Sequence, residues 1–400
     1  RHPDLEERMP PASEPNALTE TNIATLEAWI AQGAPWAEHW AFVRPERPAV
    51  PESASHPIDH FIRKRLAWEE IQPSPEANRV TLIRRASFTM TGLPPSIAAV
   101  DSFLADKEPG AYERVIDRLL DSPRYGEHMA LEWLDAARYA DSSGYQADWE
   151  RHMWPWRDWV VAAYNANMPF DQFTVEQLAG DMLPEPTQAQ LIATGFNRNH
   201  RINDEGGSLD AEFEVEYVVD RVDTTATVWL GLSAGCARCH DHKYDPISQR
   251  EYYQLFAYFN RVPEKGIDGR KGAAKPFIEV PFQRVVDRLE GLRQDLAELE
   301  KQRPSDKDAI NKLKEKIKKL EPMAKTPVQI MQEQVGRRPT YLLQRGDYRT
   351  PDKSEEIHPA LPAMFEGSAK DRLALARWLV SDANPLTARV IVNRLWQRHF

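Results

Sequence analysis

The sequence predicts a mainly α protein. Three observations carry that reading. Apolar residues recur at helical spacing along most of the first 260 positions, short loops join the periodic segments, and strand-like patterning begins only after about residue 270. Within this class the expected architecture is a helical domain bearing a CxxCH motif, a coiled-coil hairpin insertion, and short strands in the C-terminal third. At 400 residues the chain has room for two or three domains, and 42% hydrophobic residues are enough for real cores. A net charge of -10 argues against nucleic acid as the main partner. No apolar run is long enough to span a membrane. The chain starts at Arg1 and stops inside a helical pattern at Phe400, and so reads as a fragment.

Taken in order, Arg8-Met9-Pro10-Pro11 precedes a first helix. Thr19 caps it, Ile23, Leu26, Trp29 and Ile30 form its stripe, and Gly33 stops it. Prolines 35, 45, 48, 51 and 57 mark residues 35–57 as an extended linker. Residues 58–265 read as the CxxCH domain. Its helices fall at Ile58–Trp68, from Asn78 to about Gly92, and at Tyr112–Leu120, Glu127–Tyr139, Pro155–Asn165 and Phe170–Leu178. The aromatics Tyr139, Tyr145, Trp149, Trp154, Trp156 and Trp159 read first as core, since large aromatics dominate core contacts. Their functional reading is a haem wall or a sugar-stacking platform, with Arg138, Arg157 and His152 placed to meet propionates or an anionic substrate.

Asn197 to Gly207 is a polar, glycine-bearing loop. A helix from about Asp210 to Leu230 then carries an apolar stripe of Val215, Val219, Val222, Ala226 and Trp229. Beside it Glu212, Glu216, Asp220 and Asp223 form a carboxylate stripe, read as a solvated face partly neutralised by Arg221. Near an iron site, such carboxylates could instead bind calcium or act as acid and base. Residues 266–350 hold strand segments at Pro276–Val280, Thr326–Glu333 and Arg338–Tyr348, with a helical hairpin at 284–321 between the first two. Residues 351–400 start a further helical domain.

The chemistry concentrates at Cys236-Ala237-Arg238-Cys239-His240, which holds both cysteines of the chain. CxxCH is the attachment signature of a c-type haem: two thiols on one turn each add to a vinyl group, and the following imidazole reaches the iron. Two other readings stay open. Cys236, Cys239, His240 and His242 could ligate zinc, although four ligands within seven residues are cramped. The third is a bare dithiol or disulfide. For a haem on His240 the distal ligand is open; His200 in the polar loop is the first candidate, then Met182 and His152, and a plain loop or second-sphere histidine is the bland account of His200.

The run Val222-Asp223-Thr224-Thr225-Ala226-Thr227-Val228-Trp229-Leu230-Gly231-Leu232, then GCARCHDHKYDPIS, then Gln249 to Asn260, resembles the planctomycete-specific cytochrome-type family. Those are large secreted proteins in which a small cytochrome c domain precedes two domains of unknown function. The resemblance spans about Trp40 to Phe400 and includes Glu205, Asp220, Arg221 and Asp223, without giving them roles. It implies that residues 1–34 are the tail of the small cytochrome domain, with Met9 as distal ligand of a first haem, and that 351–400 begin the third domain. The expectation is a periplasmic or secreted c-type cytochrome family protein with haem c on Cys236, Cys239 and His240, passing electrons to an unidentified redox partner. The alternative is a zinc- or calcium-dependent enzyme or binding protein acting on polysaccharide. A scaffold without metal is the third.

Overall fold

The computed structural model describes residues 18–37, 39–54, 56–145, 148–268, 273–303, 305–334, 336 and 338–400. Met9, expected as a ligand, lies outside the described residues. The chain divides into two compact units, Arg1–Val43 and Arg44–Phe400. The described part of the first holds helix α1, Glu20–Ala31. Thr19 closes it with a reciprocal cap: its hydroxyl accepts from the Asn22 amide and its own amide donates to Asn22 Oδ1. Trp29 Nε1 donates to the Pro35 carbonyl at 3.0 Å.

The second unit is mainly helical. Helix α2, Pro57–Trp68, buries no residue. Helices α3 (Arg79–Thr91), α4 (Ile97–Ala105) and α5 (Ala111–Leu120) close around Ile83, Phe103, Ala111 and Val115. Helix α4 gives little periodic signal in the sequence, because nine residues carry little more than two turns. Helix α6, Pro123–Ala136, packs on α7, Trp154–Asn165. Gly126 permits that closeness: a Cβ there would lie 2.5 Å from the Val161 carbonyl oxygen.

Helix α8 (Phe170–Ala179), the short α9 (Gln188–Ala193) and the turn at Thr194–Arg198 surround the aromatic core. Trp133 meets Phe173 at 5.0 Å and Trp229 at 5.5 Å, and Phe196 meets Trp229 at 4.8 Å. The two indoles keep their polar handles satisfied: Trp133 Nε1 donates to Gln177 Oε1, and Trp229 Nε1 to Thr174 Oγ1. Trp156 is fully buried against Tyr139 and Phe196, so its role is packing. Trp149 is half exposed.

Helix α10, Asp210–Thr225, continues as one π-helical stretch, Ala226–Leu230, and stops at Gly231 in the left-handed region at φ 65°. The sequence pattern read these residues as one uniform helix. Helix α11, Gln249–Phe259, begins with a capping box between Ser248 and Glu251 and packs along α10.

Strand β1, Phe277–Pro281, pairs antiparallel with β2, Lys325–Gln329. Between them in sequence run helices α12, Gln283–Gln302, and α13, Lys307–Leu320, which share a cluster of Val285, Leu289 and Ile317. Strand β3, Thr340–Leu343, pairs with β4, Pro351–Ile357. Helices α14, Arg372–Leu379, and α15, Thr387–His399, close the unit. Arg372 is buried and grips the rest: it donates to the Leu178 carbonyl, pairs with both Asp181 carboxylate oxygens at 2.7 Å, and reaches Glu333 at 3.2 Å.

Candidate functional site

The CxxCH motif begins on a short 3-10 turn, Ala234–Arg238, between α10 and α11, and its Cys239 and His240 follow directly in the bend after it. Ala234 and Ala237 are buried and anchor the turn, while Cys236 and Cys239 are exposed and unpaired. His240 is exposed too. Its Nδ1–H donates to the Asp241 carbonyl at 2.7 Å, which assigns the tautomer and leaves Nε2 outward with its lone pair.

Neighbouring residues hold the turn from three sides. Gln249 Nε2 donates to the Arg238 carbonyl at 2.9 Å and to the Leu343 carbonyl at 3.1 Å. The Tyr253 hydroxyl donates to the Arg238 carbonyl at 3.1 Å. Gly346, at φ 72°, passes so near that a Cβ there would lie 2.8 Å from Cys239 Sγ. Downstream, His242 folds the chain back. Its side chain is buried, its Nδ1 accepts from the Tyr244 and Asp245 amides, and its amide donates to the Ile247 carbonyl. His242 therefore serves the loop, which takes one nitrogen out of the four-ligand zinc reading. Among the described residues no group of three or more His, Cys, Asp or Glu is arranged to hold a metal ion.

The carboxylate stripe of α10 runs up to this turn. Glu216 forms a two-pronged pair with Arg238 of the motif, Oε1 to Nη2 at 2.5 Å and Oε2 to Nη1 at 3.1 Å. Asp220 pairs with Arg138 at 2.6 Å, and Arg138 Nη1 also donates to the Thr224 hydroxyl. Asp223 faces Gly235, where a Cβ would lie 2.7 Å from its Oδ2. The Tyr252 hydroxyl donates to Asp223 Oδ1 at 3.3 Å. Burial, reinforced by the Asp220 charge and opposed by the Tyr252 hydrogen bond, pushes the Asp223 carboxyl up to about 6. Burial also raises Asp220, against the pull of Arg138.

Arg221 makes no ion pair with this stripe; its charge only lowers Asp220 from a distance. It lies on another face of α10, fully buried, with both terminal guanidinium nitrogens donating to Glu264 at 2.5 and 2.6 Å and Nε donating to the Asn197 carbonyl. Arg198 joins the same carboxylate at 3.1 Å. Burial alone would raise Glu264, but the Arg221 and Arg198 charges outweigh it and hold the carboxyl below its usual range. His200 belongs to this network. Its Nε2 meets Arg221 Nη2 at 2.9 Å, its Nδ1 donates to the Arg201 carbonyl, and its ring stacks on Tyr217 at 4.4 Å. Burial and the Arg221 and Arg198 charges drive its pKa well below the ordinary histidine value. Both nitrogens are thus engaged, and ligating an iron would require opening this network.

The other residues singled out from sequence are spread out. Arg157 pairs with its neighbour Asp158 at 2.7 Å. His152 and Met182 are half-buried. Arg201 lies over the Tyr145 ring at 4.7 Å, and Tyr145 meets Phe213 of α10 edge-on. The contribution of Tyr252 and Gly235 to the site had no sequence signal beyond their closeness to the motif.

Residues 57–264 match the family model PSCyt2, a protein of unknown function (DUF1549), which covers just over half of the chain. The chain belongs to the PSCyt2 family. This is a planctomycete-type family of unknown function. In this PSCyt2 protein, residues 371–400 also match the model PSD1, a protein of unknown function (DUF1553). No curated protein and no solved structure matches the chain.

The donor set of the turn fits a covalently attached haem. It presents two unpaired exposed thiols three positions apart and an exposed imidazole whose outward nitrogen is the one that ligates.

Proposed function

We propose that this PSCyt2 protein carries one haem c, anchored by thioethers to Cys236 and Cys239 and ligated on iron by His240 Nε2, and that it passes electrons. One observation carries the reading: both thiols and the imidazole emerge together, exposed, from a single turn whose other residues are buried or hydrogen-bonded. When bound, the haem supplies a one-electron redox centre. The chain's own residues do the positioning. Gln249 and Tyr253 fix the backbone at Arg238, the Asp241 carbonyl orients His240, and Glu216 ties Arg238 to α10. Attachment of c-type haem places the protein in the periplasm or outside the cell, with a redox partner that meets the exposed turn.

The test is a pyridine haemochrome spectrum of protein exported through a c-type haem maturation system, beside a Cys236→Ala/Cys239→Ala variant. Absorbance retained under denaturing conditions by the parent, and absent from the variant, is the expected result. A colourless protein carrying one zinc per chain by elemental analysis would sink the haem reading and move the acidic helix forward as a hydrolytic, polysaccharide-acting site.

A further inference from the structure

The Asp223 carboxylate lies against the backbone of the attachment turn, at the point where only glycine leaves room for it. Every element packed around it contributes a charged or titratable group. Asp220 precedes it by one turn on α10, Arg138 comes from the segment after α6, Arg238 from the attachment turn itself, and Tyr252 from α11. Arg138 is committed to Asp220 and Arg238 to Glu216, so Asp223 is left with the Tyr252 hydroxyl as its hydrogen-bond donor. A carboxylate in this place responds to charge on the turn: adding an electron next to it raises its affinity for a proton.

We propose that Asp223 is the proton acceptor coupled to one-electron reduction at the Cys236–His240 turn, so that the turn takes up an electron and a proton together. This rests on the haem reading above. With haem bound, one-electron reduction by an external donor would lower the positive charge at the turn, and Asp223 would take up the compensating proton. One proton from solvent joins an Asp223 carboxylate oxygen, and no other bond forms or breaks. The carboxyl's position near 6, set by burial and the Asp220 charge, places the exchange in a range where a modest electrostatic change moves a proton.

The experiment measures midpoint potential against pH, from about 4.5 to 8.5, by spectroelectrochemistry on the haem-loaded protein, its Asp223→Asn variant and its Tyr252→Phe variant. The parent potential should fall with rising pH across a window opening near pH 6, approaching a tenfold change in equilibrium constant per pH unit, ~59 mV for a one-electron couple. Asp223→Asn should be flat across that window. Tyr252→Phe should keep the slope and move it to higher pH, because the lost hydrogen bond had favoured the ionised form. A parental slope retained by Asp223→Asn, or a flat parent with haem attached, overturns the proposal. A carbon-13 titration of the Asp223 carboxyl in haem-free protein gives a second readout: a midpoint in the ordinary carboxylate range also overturns it. Should Asp223→Asn fail to fold, Tyr252→Phe and the carbon titration decide. A protein that holds no haem after denaturation fails earlier and differently, because it overturns the haem reading itself.

Discussion

Helix α10 carries two sets of ion pairs on two of its faces, and their surroundings make them different objects. On the inner face Arg221 and Glu264 are almost wholly excluded from water, with Arg198 and His200 packed around them. On the outer face Arg138 and Asp220 each keep about a third of their side chain in solvent, and Arg238 with Glu216 is similar. The distances are alike, 2.5 to 2.6 Å. The inner set has given up all hydration and is tied to two guanidiniums, so removing its single carboxylate would leave charge stranded. The outer set keeps water as an alternative partner, so the loss of one of its pairs costs less. Structure is secured on one face, and the other is left open to solvent.

The largest predicted effect breaks the inner face. Glu264→Gln leaves Arg198 and Arg221 buried without their carboxylate and should cost about 3–5 kcal/mol in urea denaturation. A change below about 1 kcal/mol would show that the two guanidiniums find other compensation. Next comes the contact between the outer face and the turn at Ala234–Arg238. Gly235→Ala drives a methyl into the Asp223 carboxylate and should cost about 1–3 kcal/mol while lowering haem attachment in the haemochrome assay. Wild-type stability and attachment in that variant would mean that Asp223 swings aside freely.

Asp223→Asn should act in the other direction, and with a defined pH dependence. The folded-state pKa of Asp223, about 6, lies above its unfolded value, so the native protein binds the extra proton between roughly pH 4 and 6. Its contribution is favourable below pH 4 and is lost as pH rises through 6. The variant does not titrate, so its advantage over the parent should grow from near zero at pH 4 to about 1–2 kcal/mol at pH 7.5, after allowance for solvent screening. Equal thermal stability at both pH values would remove Asp223 from the list of perturbed carboxyls. The smallest effect belongs to Glu216→Gln, which breaks a solvent-facing pair and should cost no more than about 1 kcal/mol, less in high salt.

Much of this division was open to view in the sequence. The 4-4-3 spacing of Glu212, Glu216, Asp220 and Asp223 marked one face of a helix, and the CxxCH spacing marked the turn it leads into. The partners were not visible, because they come from elsewhere: Arg138 is 82 positions from Asp220. Arg221 was assigned to the acidic stripe by adjacency, yet one residue along a helix turns about 100°, which carries its side chain to the inner face. His200 looked like a loop histidine because Asn, Arg, Asp and Gly surround it, but Asn197, Arg198, Asn199 and Asn203 among them are buried, and only tertiary contacts reveal the network His200 joins. Strand pairing was hidden for a related reason, since β1 finds β2 across the whole α12–α13 hairpin.

Arg372 has a consequence for how the molecule is divided. It lies at the start of the PSD1 match, while Asp181 and Leu178 lie deep in the PSCyt2 match. The border between the two families therefore crosses a buried guanidinium and its carboxylates. A shortened chain ending at residue 370 would strand Asp181 without its cation and uncover the surface that Leu375 and Leu379 bury. Residues 371–400 and the segment that holds Asp181 would melt as one cooperative block, and a chain cut between them would need its missing edge rebuilt before its behaviour could be read.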